Sequence, residues 1–173
     1  DPEQTLLRDD PAVTSLPPYV DDRPRDHAVP EGLHRYRLDI AYRGAGFAGW
    51  QRQANADTVQ ARVEAALSEL VGESVAVVGA SRTDAGVHAR AQVAHIDLSR
   101  PFSTKGLVFG SNHHLPSEIR LLSADLAPAG FHSRFSAAAK EYSYRIRPGR
   151  FVPPDLKPFV LAVPDRLDLE RLQ

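Results

Sequence analysis

The chain has 173 residues and a formal net charge of −1, with 42 % hydrophobic residues and no cysteine. The absence of cysteine excludes disulfides and thiolate metal sites. No apolar run approaches the roughly 18 residues that span a bilayer, so a soluble protein is expected. The charge is unevenly spread. Residues 1–30 carry 3 basic against 7 acidic groups, residues 31–150 carry 15 against 11, and the last 23 carry 3 against 4. The middle segment thus has a modest positive surplus, suited to a local polyanion-binding surface. Arg supplies 18 of the 21 basic residues; it suits bidentate phosphate contacts, though GC-rich coding produces the same excess.

Residues 1–30 hold six prolines, many acids and little apolar periodicity. They read as a disordered or poorly packed acidic extension, or as a peptide laid along the domain surface. From Leu33 onward Tyr36, Leu38 and Ile40 alternate with Arg37, Asp39 and Ala41, which predicts a strand with one buried face. Glycines at 44, 46 and 49 end it in a loop. Their spacing copies a dinucleotide fingerprint, but a true one opens straight into a helix, and here Trp50-Gln51-Arg52-Gln53 intervenes. Asp57 with Gln60 three residues on suggests a capping box. Val59, Val63, Ala66, Leu67 and Leu70 then form one apolar helical stripe, with Arg62, Glu64, Ser68 and Glu69 mostly outside it. Gly72 is placed to end the helix.

Ser74–Val78 is a predicted strand that feeds Ser81-Arg82-Thr83-Asp84-Ala85-Gly86-Val87-His88. Ala91–Leu98 is the next strand, about 104–112 a short helix, Ile119–Leu122 a further strand. Glu141–Arg147 alternates Tyr142, Tyr144 and Ile146 with polar neighbours and reads as one more. Asp168 onward resembles a helix opening. The order strand–helix–strand–strand–helix–strand implies an α+β fold, a ferredoxin-like mixed or antiparallel sheet with helices on one face and one strand added.

Arg82 and Asp84 sit two apart, so on an extended strand end they point the same way, and Gly86 permits the turn that follows. A carboxylate beside a guanidinium stays ionised and can serve as nucleophile or general base. The same spacing also suits an Arg–Asp pair that merely braces a turn. Two further blocks bear on the choice: Tyr42-Arg43-Gly44-Ala45-Gly46-Phe47-Ala48-Gly49-Trp50-Gln51-Arg52-Gln53 before Thr58-Val59-Gln60, and Gly130-Phe131-His132-Ser133-Arg134-Phe135-Ser136-Ala137 before Lys140-Glu141-Tyr142-Ser143-Tyr144. In this order and at these separations the three blocks resemble the tRNA pseudouridine synthase A family, from about Tyr36 to Tyr144. Ser81 stands where that family usually has Gly.

The resemblance implies that Asp84 is the catalytic carboxylate, that Arg82 pairs with it and helps displace the target base, and that Tyr142 lies against the uracil. The reaction it implies converts uridine to pseudouridine in the anticodon stem-loop of tRNA, without cofactor or metal. It further implies a cytoplasmic or organellar homodimer, and a second half of similar size whose Arg completes the site. Residues 31–150 are then the half that carries the acid, and 151–173 the start of the second. Gln51, Arg52 and Gln53 are candidate RNA contacts or else a solvated polar loop, and Arg134 is a candidate phosphate-binding or active-site Arg. His88 is a candidate substrate contact or a brace for the acid loop, and Trp50 a buried anchor in preference to a base-stacking ring. The seven histidines lack ligand spacing. The alternative is a non-catalytic RNA-binding module on the same sheet. Such modules present a Gly-Phe-Val-Phe type run that is absent here, and have no use for an Arg-x-Asp pair. A plain interaction domain would not bind tRNA at all.

Overall fold

The computed structural model of the protein describes residues 27–164. Six elements follow in chain order: β1 (His34–Tyr42), α1 (Val59–Val71), β2 (Val78–Gly79), β3 (Ala89–Leu98), α2 (Thr104–His114) and β4 (Ile119–Leu126). The strands lie in the order β2-β3-β1-β4, with every neighbouring pair antiparallel. This is the ferredoxin-like α+β layer expected from the element order. Two short strands, β5 (Ile146–Pro148) and β6 (Leu161–Val163), pair in parallel as a separate sheet.

The period-2 pattern of β1 sets the layer. Leu38 pairs with Ala94 on one side and Ala124 on the other, so all three face the same way. Tyr36, Leu38, Ile40 and Tyr42 are buried against Ile96, Leu98, Ile119 and Leu121. α1 adds Val59, Val63, Ala66, Leu67 and Val71 to this core, and α2 adds Leu107. Each fully buried Val or Leu contributes roughly 1.5–3 kcal/mol. On the opposite sheet face Arg35 makes a bidentate pair with its cross-strand partner Asp97, both contacts at 2.7 Å. The pair holds Asp97 below the usual carboxylate range, and Arg35 is raised by the same hydrogen bond. Arg35 Nη1 also donates to the carbonyls of Phe131 and His27, at 2.9 and 3.1 Å.

Four details differ from the sequence reading. The capping box does not form: α1 begins after Thr58, whose side chain makes no cap. The Val59 and Gln60 amides donate instead to the Gly49 and Trp50 carbonyls, at 3.2 and 3.0 Å, while the Asp57 carboxylate binds Arg62. Glu64, expected outside the stripe, is buried. The predicted strand Ser74–Val78 shrinks to a start at Val78, because side chains of α1 occupy the Val77 backbone. Glu64 Oε1 accepts the Val77 N–H at 3.0 Å, and Gln60 Nε2 donates to its carbonyl at 2.8 Å. Finally, Glu141–Arg147 is not one strand. Residues 137–145 are irregular and only Ile146–Pro148 pairs.

That last pairing also joins residues on either side of position 150, where the sequence suggested a boundary: Ile146 faces Leu161 and Pro148 faces Val163. Most of the acidic extension and the helix opening at Asp168 lie outside the described residues. Residues 27–30 do not stand apart from the layer. His27 stacks flat on Phe135, centroids 4.4 Å apart.

Candidate active site

The Asp84 loop connects β2 to β3, and a second loop, residues 44–53, packs against it backbone to backbone. A Cβ on Gly44 would lie 1.9 Å from the Val87 carbonyl oxygen, and one on Gly49 would lie 2.6 Å from that of Thr83. Gly49 also has φ +93°, a conformation other residues avoid. The two loops are then tied by hydrogen bonds from the Trp50 amide to the Thr83 carbonyl (3.0 Å) and from the Gly86 amide to the Phe47 carbonyl (3.2 Å). These contacts give the glycines at 44 and 49 a purpose the sequence did not reveal: they let two backbones touch.

Trp50 is 1 % exposed and its indole lies over Gly79, where a Cβ would come within 2.7 Å of Nε1. It is a buried anchor of the loop, as its place beside the glycines suggested. Tyr42, at the end of β1, reaches the same point from below, with its hydroxyl 2.8 Å from Thr83 Oγ1. Burial pushes the Tyr42 phenol upward, the Thr83 hydrogen bond lowers it, and the nearby Tyr142 phenol adds a further upward push. Residues 42 and 83 therefore meet next to Asp84 in the chain.

Asp84 and Arg82 are both exposed, and the ion pair that the resemblance implies does not form among the described residues. The reason is the loop path. β2 ends at Gly79, so residues 82–84 are not an extended strand end. Arg82 turns into a cleft of about 190 Å³ that it lines with Trp50, Gln51, Gly79, Ser81 and Arg134, while Asp84 stands outside that lining. Arg134 is brought there by its neighbour. Ser133 is buried, donates its hydroxyl to the Val78 carbonyl at 2.7 Å, and its amide donates to His95 Nδ1 at 3.2 Å. Burial, followed by the charge of Arg35, lowers His95 to about 4.

The remaining candidates are partly committed to the fold. Arg52 Nη1 binds Glu64 Oε2 at 2.9 Å, yet its side chain stays 63 % exposed. Gln53 spends its amide on the Ala48 carbonyl, 3.0 Å away. His88 Nε2 lies 2.7 Å from the Pro158 carbonyl and its ring tilts against Phe159, which Arg43 covers at 5.3 Å. That contact braces the acid loop against residues 158–159. Tyr142 is 59 % exposed.

Gln60 and Glu64 were missed as site residues. At i and i+4 on α1 they share a face, and together they hold Val77, the Arg52 amide (2.9 Å to Gln60 Oε1) and the Arg52 guanidinium. A carboxamide and an acid flanking the apolar stripe was the available signal. Among the described residues no group of three or more His, Asp or Glu is placed to hold a metal ion, and no helix is long and apolar enough to cross a membrane.

Fold and site together define an α+β module that presents one unpaired carboxylate on a clamped loop, with guanidinium groups close by. No family model matches the chain. Three curated relatives, each described as tRNA pseudouridine synthase A, are similar to it. The protein of Nitrobacter winogradskyi is 50 % identical over 115 residues, covering 66 % of this chain and 45 % of its own. That of Mesorhizobium japonicum is 44 % identical over 139 residues, covering 79 % and 56 %. That of a Bacillus species is 37 % identical over 141 residues, covering 81 % and 58 %. The chain belongs to the tRNA pseudouridine synthase A family, and it spans about half the length of the curated relatives it matches.

Proposed function

We propose that this chain is the aspartate-bearing part of a tRNA pseudouridine synthase, acting on uridines of the anticodon stem-loop. The observation that carries the reading is the exposed Asp84 side chain on a loop whose neighbours Thr83, Gly86 and Val87 are pinned to residues 44–50. A uracil inside a stacked stem is out of reach and has to be extruded, at a cost of a few kcal/mol. Arg82, two residues from the acid, helps fill the vacated space. Tyr142 lies against the extruded ring, supplying an apolar face and a hydroxyl that can carry a proton.

Asp84 then acts as nucleophile or base, on the ribose or on the uracil. The C1′–N1 bond breaks, the ring turns, a C1′–C5 bond forms, and the C5 proton leaves as N1 gains one. Atoms and oxidation state balance within the substrate. Arg52, Gln53 and Arg134 contact the RNA, and His88 keeps the loop in place. The working enzyme is a cytoplasmic homodimer in which a second half completes the site.

The test is Asp84→Asn in the full-length protein, assayed for pseudouridine in uridine-labelled tRNA. Isomerisation falls at least roughly 10²–10⁴-fold, the range for losing a positioned proton-transfer or nucleophilic group. Binding of tRNA is retained, because Asp84 makes no phosphate contact. Undiminished turnover in the variant refutes the assignment.

A further inference from the structure

We infer that Arg134, on a cleft that Arg82 also lines, takes one RNA backbone phosphate, that of the nucleotide next to the extruded uridine. The proposal rests on the RNA-modifying function above and adds to it a specific ligand group at a specific place. Both arginines line the same cleft of about 190 Å³, together with Trp50, Gln51, Gly79 and Ser81, and no Asp or Glu lines it. Neither guanidinium makes an ion pair among the described residues.

Two cationic residues on the lining of one cleft, with no acid among them, favour an anion there. Guanidinium groups only donate hydrogen bonds, so the cleft calls for an acceptor-rich ligand. A phosphodiester matches this in charge and in its fit to a planar fork; neutral uracil does not.

The placement is built in. Arg134 follows Ser133, whose hydroxyl and amide are fixed to Val78 and His95. Arg82 follows Ser81, whose carbonyl accepts from buried Gln92 and whose hydroxyl donates to it at 3.2 Å. Two arginines far apart in sequence are thus each held next to an anchored serine, and both are exposed. Arg82 lies two residues before Asp84, at most about 7 Å along the chain. A phosphate in the cleft therefore belongs to a nucleotide adjoining the one that meets the acid.

The experiment is a binding cycle with a stem-loop RNA in which single linkages flanking the target uridine are made neutral methylphosphonates. Wild type, Arg134→Ala and Arg134→Lys are compared in the full-length protein. Neutralising one flanking linkage is expected to weaken wild-type binding about tenfold, a typical value for one charge-assisted contact. Arg134→Ala should weaken binding of unmodified RNA by a similar factor and lose nothing further at that linkage. Arg134→Lys, which keeps the charge but not the fork, should fall between. The subsite is overturned if Arg134→Ala binds like wild type, or if its loss multiplies with that of every neutral linkage. Since the readout is binding, the two readings fail separately. An active Asp84→Asn variant with intact coupling sinks the chemistry alone, and absent coupling with an inactive Asp84→Asn variant sinks the subsite alone.

Discussion

The loop that carries Asp84 and the stretch that carries Tyr142 are held in opposite ways. Around Asp84 the backbone is over-determined. Two glycines permit contact with a second loop, two amide–carbonyl bonds cross between them, and Trp50 and Tyr42 fill the space beneath. Along 137–145 no residue belongs to a helix or strand, and Tyr142 and Tyr144 are 59 % and 85 % exposed. A carboxylate that must meet a reacting atom within a fraction of an ångström needs such pre-organisation. A ring that only has to lie against a base after extrusion does not. Asp84 sits on a loop held by this layer, whereas no helix or strand holds Tyr142.

The strongest way to break that contrast is to disrupt the contact between the two loops. Gly44→Ala places a Cβ 1.9 Å from the Val87 carbonyl oxygen, where only backbone movement can relieve the clash. A loss of about 3 kcal/mol or more is expected, at the upper end for overpacking, together with loss of isomerisation in the full-length protein. Gly46→Ala is the control, since nothing lies within 4 Å of its Cβ and its φ is not positive. Urea unfolding of both variants checks this. Equal effects at 44 and 46 would mean that close approach of the loops is not what holds Asp84.

Much of the layer was legible because its strands and helices follow simple periods. The alternation Tyr36, Leu38, Ile40 and the stripe Val59, Val63, Ala66, Leu67 each report one buried face. Gly72 ends α1 in the left-handed conformation as expected. What failed depended on partners distant in sequence. Alternation predicts a strand at Glu141–Arg147, but a strand needs a neighbour, and no strand pairs with residues 141–144 among those described. Ser74–Val78 has the composition of a strand, yet the Val77 backbone is taken by Gln60 and Glu64 from a helix. At the candidate site, types and spacing single out Arg82 and Asp84, and the family resemblance supplies their expected roles. Their separation in space was not legible, because it follows from where β2 stops.

A smaller effect tests the junction between the two regions, where Ser133 ties the start of the loose stretch to His95. Burial and Arg35 lower His95 to about 4, with His132 and His27 adding to the shift and Asp97 opposing it. The sign follows from linkage: above pH 6.5 both states are neutral and nothing changes. Between 6.5 and 4 the unfolded chain takes up a proton that the folded one refuses, so stability falls with pH, and it levels below 4. The loss is at most roughly 3 kcal/mol across that window, reduced by whatever solvent screening remains at the ring. His95→Asn, which keeps an acceptor for the Ser133 amide, should flatten the difference in thermal stability between pH 7 and 4.5. An unchanged slope would remove His95 from the account and weaken the claim that residue 133 is a fixed anchor.

The smallest expected effect sharpens the comparison from its other side. Tyr144 is 85 % exposed, more than any strand or core residue that the alternation of Glu141–Arg147 implied. Truncating an aromatic in a packed core costs about 3–5 kcal/mol, whereas a surface substitution away from special features stays within about 0.5 kcal/mol. Tyr144→Ala in this 173-residue chain should therefore leave the unfolding midpoint where it is. The same substitution in a full-length protein, with the remaining chain in place, separates two states of the stretch. If the midpoint drops there by several degrees, then the rest of the protein covers 137–145 and positions Tyr142 by that packing. If the midpoint drops already in the 173-residue chain, the stretch is held by this layer after all, and the contrast between a held acid and an unheld tyrosine does not stand.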